Sequence, residues 1–170
     1  THPRRPDIAD IAAGVAARLA ASHISPAITR SDAAVFGSRD LGPVHVVSDD
    51  DPAAGCELAL VLGGDGTFLR GAELARGCDT PLLGINLGKV GFLAEVEMAD
   101  LAATVDRVVE RDYTIEERMT LDVTVSHGDR VDTSTWALNE VSIEKASRER
   151  MIEVTVEVDG RPLSTWGCDG

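Results

Sequence analysis

Apolar residues in the first 112 positions follow two alternating patterns, one with helical spacing and one of short continuous runs. From Ile8 to Leu19 they recur every three or four residues, which predicts an amphipathic helix that Asp7 caps. Short apolar runs bounded by glycine or proline are typical of buried parallel strands. Between residues 20 and 43 the pattern is weak and indicates only a short helix near 31–36. The elements predicted in this half are helices at 7–19, 67–76 and 100–111 and strands at 44–47, 58–62 and 81–85.

From Tyr113 onward the apolar period changes from 3.6 to 2, and no helical stretch interrupts it. Asp159-Gly160 is a strong hairpin turn, and a second turn is indicated at 127–129. The strands predicted in this half are 121–125, 136–143, 152–158 and 161–166. Because strands and helices alternate only in the first half, we expect a Rossmann-like α/β domain with a parallel sheet at 1–112. The beginning of an antiparallel all-β domain follows at 113–170.

A glycine-rich turn, Gly63-Gly64-Asp65-Gly66-Thr67, separates the strand at 58–62 from the helix after it. Glycines let backbone N–H groups approach a ligand closely, and a helix N-terminus favours negative charge, so this turn suits a phosphate. Asp65 should repel a phosphate, and its presence needs a separate reason. The carboxylate either shapes the turn, accepts a proton from a hydroxyl that attacks phosphorus, or helps to hold Mg²⁺. Its place at the carboxyl end of a buried strand, where open α/β sheets bind ligands, favours a functional role.

Two other stretches carry candidate ligand groups. The loop at 86–93 begins with an asparagine and contains two glycines, and Phe92 in it is either core or a wall on which a base stacks. Asn139-Glu140 interrupts an apolar strand, and adjacent strand residues face opposite sides, so one of the two should be buried. Either a strand edge or bulge exposes both, or the pair binds a ligand through its donors and acceptors.

Charge and composition exclude several classes of partner. A formal net charge of −13 argues against binding to a nucleic-acid backbone or an anionic membrane surface. No apolar run approaches the roughly 20 residues that a transmembrane helix needs, and no signal peptide is evident. The three cysteines and four histidines do not have the spacing of a zinc site, and the cysteines fit reduced thiols. The acidic run at 49–51 is interpreted as a solvated loop. A cytoplasmic protein is expected.

Several motifs together resemble the NAD kinase family, in particular bacterial members with actinobacterial-type sequences. The glycine turn alone is shared with lipid kinases of the diacylglycerol and sphingosine type and, more loosely, with phosphofructokinases. The resemblance extends from about residue 55 to the end of the chain. The motifs that carry it are specific in combination, whereas each motif alone is not. The motifs that carry it are the glycine turn, Asn86-Leu87-Gly88, Gly91-Phe92-Leu93, Glu117 to Leu121, Leu138-Asn139-Glu140-Val141 and Asp169-Gly170.

The resemblance implies phosphoryl transfer from ATP, or from inorganic polyphosphate, to the 2′-hydroxyl of the adenosine ribose of NAD, which gives NADP. Mg²⁺ or another divalent cation would accompany ATP, and a homo-oligomer, a dimer or a tetramer, is usual for the family. Asp65 matches the family's proton acceptor, and no metal ligand is predicted among the residues of the chain. The positions that match NAD or nucleotide contacts are Gly63, Gly64, Asp65, Gly66, Thr67, Arg70, Phe92, Asn139, Glu140, Arg150 and Asp169. Without the resemblance, Arg150 is a solvated charge within 148–150.

Three alternatives remain open at this stage. A lipid kinase shares the glycine turn, but the acidic charge does not suit a membrane surface. A nucleotide-binding module without catalysis would keep the nucleotide-binding pocket but would not transfer a phosphoryl group. A phosphofructokinase would have no place for the β-rich second half. The sequence departs from the family pattern in two places. The first strand of the α/β domain is missing, and the Thr-Pro-Thr-Gly-Ser-Thr segment that the family carries after the equivalent of Asp169-Gly170 is absent. We therefore expect residues 1–170 alone to be inactive.

Overall fold

The computed structural model describes residues 7–36, 40–87, 93, 96–147 and 150–170. It divides into two units, Thr1–Glu116 and Glu117–Gly170. The first unit alternates helices with short strands, as its sequence periodicity predicts. Its elements are α1 Asp7–Ala21, β1 Ala27–Thr29, α2 Arg30–Phe36, β2 His45–Val47, β3 Ala59–Leu62, α3 Asp65–Ala75, β4 Leu82–Asn86, β5 Val96–Glu97 and α4 Leu101–Glu110.

All strand pairs in the first unit are parallel, which confirms the predicted α/β class. β3, β4 and β5 form one sheet in that order, and β1 pairs with β2. Two strands, β1 and β5, were not predicted, because Ala27–Thr29 and Val96–Glu97 contain no run of apolar residues like the one that marks β2. The short helix indicated near 31–36 is present as α2.

The core of this unit lies between α1 and the sheet. Ile8 and Ile85 are its most deeply buried large side chains, and Phe36, Leu62 and Leu87 pack in the same cluster. Farther along α1, a second cluster joins this helix to α4 through Val15, Leu19 and Val105. The predicted apolar face of α1 is therefore the face that the helix buries.

Helix α3 lies very close to the sheet because Gly71 has no side chain. A Cβ atom at this position would stand 2.6 Å from Cγ2 of Val61 in β3 and 3.3 Å from Cδ2 of Leu82 in β4. Only glycine permits this approach without displacing a buried β-branched side chain. The close packing holds the middle of α3 against β3 and β4.

The second unit consists of two antiparallel hairpins, as its period-2 pattern predicts. One pairs β6 Leu121–His127 with β7 Arg130–Ala137, and the other pairs β8 Ile152–Val158 with β9 Arg161–Cys168. The turn at Asp159-Gly160 has two positive φ angles, 51° and 71°, as a two-residue hairpin loop requires. None of the described residues at 117–147 and 150–170 is buried.

One predicted strand in this unit is wrong. The apolar residues at 136–143 were expected to form a continuous strand, but β7 ends at Ala137 and residues 138–147 have no strand structure. The physical reason is the length of the partner strand. Ala137 pairs with Leu121, the first residue of β6, so the hydrogen-bonded ladder has no partner beyond this point.

No helix within the described stretches combines the length and the apolar character that crossing a membrane requires.

An exposed ion pair connects the end of α4 to the residues before β3. Arg111 Nε and Nη2 donate to the two carboxylate oxygens of Glu57 at 2.6 and 2.8 Å, and the Tyr113 hydroxyl donates to Glu57 Oε1 at 3.2 Å. The hydrogen bond from Arg111 is the main reason that the pKa of Glu57 lies below its ordinary value. Burial first, and then the contact with Glu57, raises the pKa of Tyr113.

We expect Glu57→Gln to lower stability slightly at neutral pH and to have no effect in acid. A carboxyl group with a depressed pKa in the folded state contributes stability above its unfolded pKa, and this contribution is lost as the pH falls through the folded pKa. Because the pair is solvent-exposed, the effect at pH 7 is small. Urea unfolding over a pH series from 7 down to about 2 measures it. An effect of the substitution that does not decline as the pH falls through the lowered pKa of Glu57 would contradict this role.

Candidate active site

The glycine turn joins β3 directly to α3 at the carboxyl edge of the parallel sheet. The Gly63 N–H donates to the Ile85 carbonyl at 3.0 Å and so extends the ladder between β3 and β4 by one residue. The Gly64 carbonyl accepts hydrogen bonds from the N–H groups of Thr67 and Phe68 at 2.9 and 3.0 Å. These bonds start α3 at Asp65, two residues before the predicted start at Thr67.

Asp65 therefore lies in the first turn of α3. The first N–H groups of a helix have no intrahelical acceptor and carry the positive end of the helix dipole. A carboxylate here is favourable for the helix and stands beside the N–H groups that could bind a phosphate.

Gly63 is packed against the side chain of Thr67. A Cβ atom at position 63 would lie 2.6 Å from Thr67 Oγ1 and 2.8 Å from Thr67 Cβ, and the φ angle of Gly63 is 157°. No such overlap exists for Gly64 or Gly66, where a Cβ would meet nothing within 4 Å. Of the three glycines, Gly63 is thus the one that the geometry of the turn requires.

The Asp65 side chain reaches beyond its own turn. Its Oδ1 accepts a hydrogen bond from the Leu93 backbone N–H at 3.0 Å, and the carboxylate is partly buried. This bond ties the glycine turn to the loop that follows β4. Phe92 and the neighbouring residues 88–91 lie outside the described residues, so the stacking role of Phe92 stays a prediction.

Arg70, one turn further along α3, points towards α2. Its Nη2 donates to Ser31 Oγ at 2.9 Å, and its Nη1 is 3.8 Å from Asp32 Oδ1. The Ser31 N–H in turn donates to Asp49 Oδ1 at 3.0 Å, and this bond is the main cause that lowers the pKa of Asp49. The sequence patterns assigned Ser31 and Asp32 no role. They follow β1, which the apolar pattern did not reveal, so no local signal marked them as the residues after a strand.

The second unit brings two of its candidate segments together. The Lys145 N–H donates to the Asp169 carbonyl at 3.1 Å, the Lys145 ammonium contacts the Asp169 carboxylate, and a Cβ at Gly170 would lie 2.8 Å from the Ile143 carbonyl. The Asp169-Gly170 segment therefore runs beside the chain that follows Asn139-Glu140. Lys145 is a contact that the sequence patterns missed, because nothing local marks it.

Asn139 and Glu140 are both exposed within the unit, just after the end of β7. The expectation that one of them is buried within a strand is wrong, because the strand ends at Ala137. Exposure leaves the donors and acceptors of both side chains accessible, and their role as a ligand-binding pair stays a prediction. Arg150, which precedes β8, is also exposed.

Among the described residues, no three side chains of the His, Cys, Asp and Glu types come together in a way that could hold a metal ion.

The sequence and the fold both match known proteins. A profile described as the ATP-NAD kinase N-terminal domain matches residues 15–113, more than half of the chain. The NAD kinase of Thermobifida fusca is 57% identical over 163 residues, which cover 93% of this chain and 48% of that protein. The NAD kinase of Mycobacterium tuberculosis is 47% identical over 99% of this chain and 58% of its own length.

The fold is similar to the crystal structure of yeast NADH kinase complexed with NADH. The TM-score is 0.82 at 17% sequence identity, and the match covers 99% of this chain and 53% of the yeast chain. At this identity the likeness establishes the fold alone. The chain spans about half the length of the curated relatives that it matches. By the match to residues 15–113, this chain belongs to the NAD kinase family.

Proposed function

We propose that the protein containing this chain is an NAD kinase, which transfers a phosphoryl group from ATP or polyphosphate to the 2′-hydroxyl of the adenosine ribose of NAD. The main support is the geometry at Asp65. Its carboxylate lies in the first turn of a helix that follows a glycine turn, at the carboxyl edge of a parallel sheet, and a backbone N–H holds it. Open α/β sheets bind nucleotides at this edge.

Asp65 acts as the proton acceptor in this proposal. The 2′-oxygen attacks the terminal phosphorus as its proton moves to the Asp65 carboxylate. The new O–P bond replaces the bond to the leaving oxygen, which departs with its electron pair on ADP or on the shortened polyphosphate. The Leu93 N–H, 3.0 Å from Oδ1, orients the carboxylate for this transfer. Such a general base typically contributes about 10²- to 10⁴-fold to the rate.

The other candidate residues bind and align the substrates. The backbone of Gly63, Gly64, Gly66 and Thr67 surrounds the phosphates at the N-terminal end of α3, and Arg70 contacts NAD. Asn139, Glu140 and Asp169 offer donors and acceptors to ribose and base, with Arg150 at the nucleotide and Phe92 beside the adenine. The second unit is accordingly proposed as the beginning of an NAD-binding domain.

Mg²⁺ enters this proposal bound to ATP, as part of the substrate. The described residues contain no cluster of carboxylates that would hold the ion alone, and one oxygen of Asp65 already accepts a hydrogen bond. When bound to the nucleotide, the ion neutralises the transferred phosphoryl group. A cytoplasmic location is part of the same proposal, because free cysteines suit a reducing compartment. A homo-oligomer is also part of it, because homo-oligomers are usual for the family that the sequence resembles.

An assay of the complete protein tests the proposal. Incubation with NAD and either ATP–Mg²⁺ or polyphosphate should yield NADP, detected with an NADP-specific dehydrogenase, and diacylglycerol should not be phosphorylated. NAD binding by calorimetry without NADP from either donor would instead support a nucleotide-binding module without catalysis. Phosphorylation of diacylglycerol in preference to NAD would support the lipid kinase.

A further inference from the structure

The contact between α2 and α3 has a feature that the proposed chemistry does not use. The Arg70 guanidinium meets two adjacent residues of α2, the Ser31 hydroxyl at 2.9 Å and the Asp32 carboxylate at 3.8 Å. The Asp32 side chain is only 14% exposed, whereas that of Arg70 is 47% exposed. A largely shielded carboxylate thus faces a cation whose side chain is open to solvent on one side.

Ser31 and Asp32 are themselves fixed in position. The Ser31 N–H donates to Asp49 Oδ1 at 3.0 Å, which links α2 to the loop after β2. The Asp32 N–H donates to Thr29 Oγ1 at 3.0 Å, and Thr29 is the buried last residue of β1. Both groups that meet Arg70 are therefore anchored at the carboxyl ends of β1 and β2.

We infer that Ser31 and Asp32 are positioning residues that hold the Arg70 guanidinium ready to bind NAD. This inference rests on the proposed function, in which Arg70 contacts NAD. A free arginine side chain loses rotamer entropy when it is immobilised. Contacts present before NAD arrives remove part of that cost from binding, which is preorganisation. Neither residue touches the substrates in this scheme, and both act through Arg70.

The partial burial of Asp32 strengthens its pairing with Arg70. Water and salt screen a shielded charge less than an exposed one, so Asp32 holds the guanidinium more firmly than a fully exposed carboxylate would. The hydrogen bond to the neutral Ser31 hydroxyl leaves the positive charge of Arg70 in place. With five N–H donors, a guanidinium can keep these two contacts and still donate to a phosphate.

Asp32→Asn in the complete protein tests the inference. We expect the Kd and KM for NAD to rise about two- to fivefold, as for the loss of one ion pair, with kcat unchanged. Asp32→Glu should restore most of the affinity because it keeps the charge. In an Arg70→Ala background the same Asp32→Asn change should have no further effect on NAD binding. The matched control is Asp106→Asn, which removes the ion pair with Arg18 between α1 and α4 and should leave NAD binding unchanged.

Three outcomes would overturn the inference: an unchanged Kd in Asp32→Asn, an equal loss in the Arg70→Ala background, or a fall in kcat with no change in KM. If Asp32→Asn does not fold, Ser31→Ala, which removes the 2.9 Å bond to Arg70, is read by the same criteria. Wild-type protein that binds NAD without forming NADP contradicts the proposed activity alone, because the Kd comparison still decides the role of Asp32. Wild-type protein that does not bind NAD overturns both.

Discussion

The Asp65→Asn protein is expected to bind NAD with nearly normal affinity and to form NADP about 10²- to 10⁴-fold more slowly. The substitution removes the group that accepts the proton of the ribose hydroxyl. It also keeps the local structure, because the amide oxygen of asparagine can still accept the 3.0 Å hydrogen bond from the Leu93 N–H. Turnover is measured by NADP formation, and binding by calorimetry with NAD.

Asp65→Ala separates the chemical role from the structural role. Alanine removes the proton acceptor and also leaves the Leu93 N–H without its acceptor, so the loop after β4 loses its link to the glycine turn. We expect NAD affinity to fall in Asp65→Ala and not in Asp65→Asn. If Asp65→Asn retained activity within a few-fold of the wild type, Asp65 would not be the proton acceptor, and a role in shaping the turn would remain.

The parts of the fold that the sequence predicted correctly depend on local periodicity. The apolar face of α1 and the alternating residues of β6 and β8 are each long enough to show their period. The strand before the glycine turn was recognised differently, as a continuous apolar run that glycine ends. The turn at Asp159-Gly160 was also predicted, because a two-residue hairpin loop demands positive φ angles. The glycine turn was recognisable for the same reason, since its conformation is encoded by the residues within it.

The contacts of the candidate site could not be predicted because they join distant parts of the chain. The bond from Leu93 to Asp65 spans 28 residues, and the bond from Arg70 to Ser31 spans 39. The end of β7 was also missed, since it depends on where the partner strand β6 begins and not on the apolar residues that continue to Ile143. Sequence patterns therefore placed Asp65 in a turn but did not reveal what holds its side chain.

Gly63→Ala is expected to disrupt the turn itself. The new Cβ would stand 2.6 Å from Thr67 Oγ1 and 2.8 Å from Thr67 Cβ. Rotation of the Thr67 side chain about χ1 does not move its Cβ, so the turn must shift to relieve the overlap. Overpacking of this kind costs about 1–3 kcal/mol, and alanine rarely adopts the φ angle of 157°. The free energy of unfolding should fall by this amount, and NAD affinity should fall with it because the helix N-terminus moves.

Two further variants show whether the overlap with Thr67 is the cause. Adding Thr67→Ala to Gly63→Ala removes the Oγ1 and Cγ2 contacts at 2.6 and 3.1 Å but keeps the Cβ contact, so stability should recover only in part. The matched control is Gly14→Ala on the exposed side of α1, where a Cβ meets nothing within 4 Å. This control should raise stability by about 0.5–1 kcal/mol, because alanine favours the helix. A stable Gly63→Ala protein with unaltered NAD affinity would mean that the turn tolerates a side chain and does not depend on this close approach.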